Sequence, residues 1–200
     1  MRSVLISIQP KWCESIASGE KKIEIRKSEP KQLKPPFKAF IYCTQGKGDC
    51  LWRWNGVWYD TQDPNHRPNR LDGKVIGEFI CDRITEYQGE FWDDETYESI
   101  QKVVHTEDWD GYPETETYHV AENGEPNYLC DESCLTWEEL RQYVGQGINT
   151  FYGWHISELK IYDKPKELKE FVGLRKTKFG YEPIKITRPP QSWMYVEVEG

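Results

Sequence analysis

The apolar residues of this 200-residue chain arrive in short alternating runs, and prolines and glycines cut those runs apart. Such a chain can make modest strands and short helices, but not a coiled coil or a collagen. No apolar segment approaches the length of a membrane span. Val4, Ile6 and Ile8 alternate with Ser3, Leu5 and Ser7, which predicts a first strand. Pro10 then opens a short helix, with Trp12, Cys13 and Ile16 on its buried stripe and Gly19 as its stop. A second strand follows at once: Ile23 and Ile25 point one way, and Lys22, Glu24 and Arg26 the other.

Pro30, Pro35 and Pro36 mark a stiff loop, and Phe37 to Cys43 reads as a third strand. Asn55-Gly56 between Trp52-Arg53-Trp54 and Val57-Trp58-Tyr59 predicts a tight hairpin, because both residues accept positive φ. A polar loop runs from Thr61 to Asn69, and Lys74 to Ile84 is a strand. Leu135 to Val144 reads as a helix, capped by Thr136 with Glu139 completing a capping box and Gly145 ending it. Phe151 to Tyr162 reads as a strand, Pro165 to Phe171 as a short helix, and Trp193 to Val198 as the last strand. Strands with a few short helices make the chain α+β, with a small curled or barrel-like sheet.

Composition narrows the function classes. The formal charge is −8, from 26 basic and 34 acidic residues, so this is not a bulk phosphate binder of the histone kind. Only 37% of residues are hydrophobic, but 14% are aromatic, nine of them Trp. Large rings bury much area per residue, so a core forms without many aliphatic side chains. The acidity is uneven: Glu86 to Glu132 carries many carboxylates and only Lys102 as a cation, and reads as a solvated insertion. The N-terminal apolar run is too short for an export signal, and six cysteines without one read as reduced thiols in a cytoplasmic protein. Cys130 and Cys134 have no second Cys/His pair nearby, so neither a metal nor a cofactor is expected.

Three clusters carry chemistry-bearing side chains. The first is Gly19-Glu20-Lys21-Lys22-Ile23-Glu24-Ile25-Arg26, where alternation puts Glu24 and Arg26 on one strand face. On alternation alone this is a solvated strand face; turned into a cleft, it offers an acceptor beside a planar donor fork. The second is Tyr152-Gly153-Trp154-His155-Ile156-Ser157, and the third Arg188-Pro189-Pro190-Gln191-Ser192-Trp193. No Gly-x-Ser-x-Gly elbow, phosphate-binding loop or dinucleotide glycine pattern is present.

Taken in order, these segments resemble the ASCH domain family of the PUA-like superfamily, in its bacterial and phage-type members. The matching residues are Ser7-Ile8-Gln9-Pro10 at the end of the first strand, then Gly19, Lys21, Glu24 and Arg26 in the pattern Gly-x-Lys-x-x-Glu-x-Arg. Gly77-Glu78-Phe79, Trp154-His155-Ile156-Ser157 and the Arg188 to Trp193 ending follow. The resemblance implies a PUA-like small mixed β-barrel flanked by short helices. It implies one domain over 1–200, with family-variable insertions at about 45–72 and 86–130.

It also implies a cleft lined by Lys21, Glu24 and Arg26 that takes RNA or a modified nucleotide. There Lys21 and Arg26 would meet phosphate, Glu24 would accept from a base edge, and Trp12 or Trp154 would offer a stacking face. His155, Ser157, Gln191 and Ser192 join the implied ligand set. Some small family members are amidohydrolases acting on N4-acetylcytidine, with a Lys at the position of Lys21 and a Thr where this chain has Glu24. Their downstream acid would fall on Asp131 or Glu132. The alternative reading is therefore a hydrolase acting on an acylated nucleoside or on RNA, with Lys21 and Glu24 as catalytic acid/base pair. A third reading is capture of a protein partner through the acidic segment 86–130, and no reading involves a membrane.

Overall fold

The computed structural model describes residues 2–45, 52–54, 57–59, 70–92, 97–108 and 110–197. The chain is α+β, mostly strand with three short helices among the described residues. It divides into two compact units, one of residues 1–20, 30–82 and 156–200, the other of residues 21–29 and 83–155.

In the first unit, β1 (Arg2–Ile8) pairs in parallel with β3 (Phe37–Cys43) and antiparallel with β12 (Trp193–Glu197). A strand with neighbours on both edges and both faces covered cannot show a wet face, and from Ser3 to Ile8 every residue is buried. The helix α1 (Pro10–Ala17) buries Cys13 and Ile16, while Trp12 stays half-buried. The hairpin arms β4 (Trp52–Trp54) and β5 (Val57–Tyr59) pair antiparallel; the Asn55-Gly56 turn and the Thr61 to Asn69 loop lie outside the described residues.

The strand β6 (Val75–Phe91) runs seven residues past the expected Ile84, so it belongs partly to each unit. Its first half pairs with β3, with a bulge between Ile41 and Tyr42. The long β9 (Gly147–Lys166) pairs with β6, and it too belongs to both units. At Gly77 a Cβ would stand 2.6 Å from the Lys160 carbonyl oxygen, so only glycine allows that approach.

Two elements correct the sequence reading. The expected helix from Pro165 to Phe171 is the end of β9 followed by a single 3-10 turn over Leu168–Glu170. Beyond it, β10 (Val172–Thr177) and β11 (Gly180–Lys185) form an antiparallel hairpin joined to β12. Its sequence, with Arg175, Lys176 and Lys178, carries no apolar alternation to announce it. The order β11-β10-β12-β1-β3-β6 is open: no pairing among the described residues joins its ends, so the expected barrel closure is absent there. Leu5, Phe40, Val75, Phe171, Ile186 and Val196 form the core of this unit, with Phe40 and Phe171 edge to face at 5.0 Å.

In the second unit, β2 (Ile23–Arg26) pairs antiparallel with β9, and β7 (Ser99–Glu107) lies between the second half of β6 and β8 (Pro113–Glu122). The segment expected to be a solvated insertion thus supplies strands, and it supplies core too: Tyr87, Phe91, Ile100, Ala121 and Leu129 are buried. The end of β7, His105–Glu107, and most of β8, Pro113–His119, are exposed. Two helices cover this sheet, α2 (Tyr128–Ser133) and α3 (Trp137–Val144). The capping box expected at Thr136 and Glu139 is present in both halves. Glu98 ties α3 down, accepting from Trp137 Nε1 at 2.7 Å and pairing with Arg141 Nε at 2.5 Å. No described helix is long and apolar enough to cross a membrane.

Candidate functional site

The site is built on β2, and β2 is placed by its pairing. Opposite residues of an antiparallel pair share a face. Ile23 faces His155 and Ile25 faces Gly153, while Glu24 faces Trp154 and Arg26 faces Tyr152. The isoleucines enter a core with Tyr87 and Phe151, whose rings stack at 5.3 Å. Gly153 makes that packing possible, since a Cβ there would lie 2.9 Å from Ile23 Cγ2 and 3.0 Å from Tyr87 Cε2.

The opposite face differs from the solvated one that alternation suggests. Lys21 is 3% exposed, Glu24 5% and Arg26 8%. Glu24 sits between the two cations, with Oε1 2.9 Å from Arg26 and Oε2 3.4 Å from Lys21 Nζ. Lys21 Nζ also donates to the carbonyl oxygen of Ser133, and the Lys22 amide donates to the Glu132 carbonyl at 2.7 Å. The last carbonyls of α2 therefore receive the start of β2, and unpaired helix-end carbonyls are partial negative charges that suit an ammonium. Burying a charge is costly unless it is paired, and here Glu24 contacts both cations. Glu24 Oε2 accepts no hydrogen bond among the described residues, so Lys21 reaches it as an ion pair only.

The other expected residues fall in different settings. Trp154 is wholly buried opposite Glu24, so it presents no stacking face in this structure. His155 is half-buried between Arg83, 3.0 Å from Nδ1, and Thr85 Oγ1, 2.8 Å from Nε2. A guanidinium only donates, so Nδ1 is the acceptor; the proton sits on Nε2 and points at Thr85. Tyr152, beside Arg26 on the shared face, has its phenol pKa pushed up by burial and by the carboxylates of Glu86 and Glu29.

Trp12, Ser157, Gln191 and Ser192 belong to the first unit. The Trp12 ring lies under Lys11 Nζ at 4.2 Å. Ser157 Oγ donates to the Ile80 carbonyl at 3.0 Å, and the Ser192 carbonyl accepts from the Ser7 amide at 2.8 Å. Gln191 is exposed. Of the acids downstream, Asp131 is exposed and Glu132 contributes its backbone carbonyl. Cys130 Sγ takes the Asn127 amide at 3.4 Å, and burial pushes its thiol pKa up. No group of three or more His, Cys, Asp or Glu among the described residues is arranged to hold a metal ion.

Three participants were not legible beforehand. Ser133 acts through a backbone carbonyl, which leaves no side-chain signature in a sequence. Arg83 and Thr85 sit two residues apart on β6, the spacing that puts both on one strand face, but nothing in the sequence points them at His155.

No family model matches the sequence, and no curated protein does. Among solved structures, the chain is similar to an ASCH protein from Zymomonas mobilis at 17% identity and TM-score 0.45, over 98% of this chain and 87% of that one. A single-substitution variant of that protein aligns at 16% identity and TM-score 0.43, over 98% and 90%. Both TM-scores lie below 0.5, and the likeness carries no inference about this chain.

Proposed function

We propose that the chain binds RNA or a modified nucleotide through Lys21, Glu24 and Arg26, as its motif resemblance to ASCH domains implies. The observation that supports this reading is the convergence of a buried ammonium, a carboxylate and a guanidinium within ion-pair distance of one another. The guanidinium of Arg26 would receive a phosphate bidentately, with the Lys21 ammonium close by. Glu24, released from one of its cations, would accept from an exocyclic amine on a base edge. Because all three side chains are buried, the ligand must uncover them, which suits a short or splayed-out target and not a long duplex.

The hydrolase alternative asks Lys21 to take a proton from water. Lys21 Nζ instead donates to the Ser133 carbonyl and pairs with Glu24, a contact set that supports the binding role. The two readings separate in one experiment. The protein is mixed with single-stranded RNA of about ten nucleotides and with N4-acetylcytidine, and followed by NMR of the Lys and Arg side chains. Binding predicts that the Lys21 and Arg26 signals shift on adding RNA while acetylcytidine stays intact. Release of acetate, lost in Lys21→Met, would overturn the binding reading in favour of hydrolysis. Unmoved signals with no product would refute both.

A further inference from the structure

The hairpin of β10 and β11 belongs to the first unit and supplies no side chain to the Lys21–Glu24–Arg26 cluster, and its composition opposes that of the chain. It carries Arg175, Lys176, Lys178 and Lys185 against one carboxylate, Glu182, in a protein whose net charge is −8. All four cations are exposed. Arg175 pairs with Glu182 at 3.5 Å, and the other three show no ion pair to a described carboxylate. Between Thr177 and Gly180 the turn is two residues long, Lys178 and Phe179. Thr177 Oγ1 braces it, accepting from the Phe179 amide at 3.3 Å and donating to the Gly180 carbonyl at 3.2 Å. Phe179 is 93% exposed, the most exposed of the large hydrophobic side chains described.

We infer that this hairpin is a contact surface for single-stranded RNA: Phe179 stacks on an unpaired base while Lys176, Lys178 and Lys185 meet the flanking phosphates. The choice of RNA rests on the proposed function above; the surface itself does not. A ring held clear of the protein on a braced turn can stack on any exposed base, and stacking of this kind tolerates any base identity. Neighbouring cations supply the sequence-independent part of the affinity. A duplex hides its base faces, so it would use the charges but not the ring. A membrane is the poorer fit, because Thr177, Lys178 and Gly180 around Phe179 offer no further apolar area to insert.

The test uses the full chain and a labelled single-stranded RNA of about ten nucleotides, followed by fluorescence anisotropy across a range of salt. Phe179→Ala should weaken binding roughly tenfold. Lys176→Glu with Lys178→Glu should weaken it further and reduce the slope of log K against log salt by about 1.4. All three positions are exposed, so thermal unfolding should be unchanged. Lys21→Met is measured alongside. Loss in the hairpin variants with Lys21→Met intact supports the hairpin and counts against the buried site; loss in Lys21→Met alone overturns the hairpin and leaves that site standing. The inference also fails if duplex RNA responds to Phe179→Ala as strongly as single strands. Cosedimentation with phosphatidylserine vesicles that Phe179→Ala abolishes, without RNA binding, would overturn it as well.

Discussion

Arg26 lies 2.9 Å from Glu24, and both side chains are buried on the face of β2 that a strand pattern would leave to water. That contact belongs to a cluster in which Glu24 meets both a guanidinium and an ammonium. The energetics of the cluster follow from its burial: removing one member of a buried pair leaves an uncompensated charge, which costs more than the pair itself contributes.

Glu24→Gln keeps shape and removes the carboxylate that both Lys21 and Arg26 contact. Stability should fall by about 3–5 kcal/mol. Urea unfolding measures it, and added phosphate should restore part of the loss by occupying the vacated charge position. A change below about 1 kcal/mol would mean that water already screens the cluster.

The His155 contacts predict a neutral ring protonated on Nε2. Nitrogen-15 spectra should show an unprotonated Nδ1 and a protonated Nε2. The opposite tautomer would mean that the Arg83 contact at 3.0 Å does not persist in solution.

Alkali should destabilise the protein through its tyrosines. Burial, first of all, raises the phenol pKa of Tyr87, Tyr42, Tyr152 and Tyr162 above the ordinary value of 10.0. A raised folded-state pKa contributes stability that is complete below the unfolded value, here pH 10.0, and is lost as pH climbs towards the folded one. Unfolding free energy should therefore decline above about pH 10, and Tyr87→Phe should soften the decline. Glu78 works at the other end. Burial would raise its pKa, but hydrogen bonds from Lys38 and Tyr162 outweigh that and hold it below the usual 4.5. Its contribution is present above that value and fades as pH falls, so Tyr162→Phe should move acid unfolding to higher pH.

Gly153→Ala should cost about 1–3 kcal/mol, because the new methyl meets Ile23 at 2.9 Å and Tyr87 at 3.0 Å. Thermal unfolding gives the number, and near-ultraviolet circular dichroism should report the displaced Tyr87 ring. No loss would show that β2 can move away from β9.

Local chemistry was legible where it is self-contained. The third strand begins and ends where its apolar run does, at Phe37 and Cys43, and the Thr136–Glu139 capping box needs only residues three apart. The lysine-rich hairpin around Phe179 was invisible, because strands made by pairing alone carry no alternation. At the candidate site, the division between the Ile23–Ile25 face and the Glu24–Arg26 face was correct. The burial of the polar side was not legible, since alternation says which way a side chain points and nothing of what covers it. For the same reason Trp154 read as a stacking face, whereas the fold encloses it completely.

The central claim is that the Lys21–Glu24–Arg26 cluster takes up an RNA-type ligand, and isothermal calorimetry tests it most directly. Short single-stranded RNA is titrated into the wild-type protein, Lys21→Met and Arg26→Lys, each first shown folded by circular dichroism. The account predicts measurable heat for the wild type, at least tenfold weaker binding at this site for Arg26→Lys through loss of the bidentate fork, and none at this site for Lys21→Met. Equal affinity in all three folded proteins would contradict it.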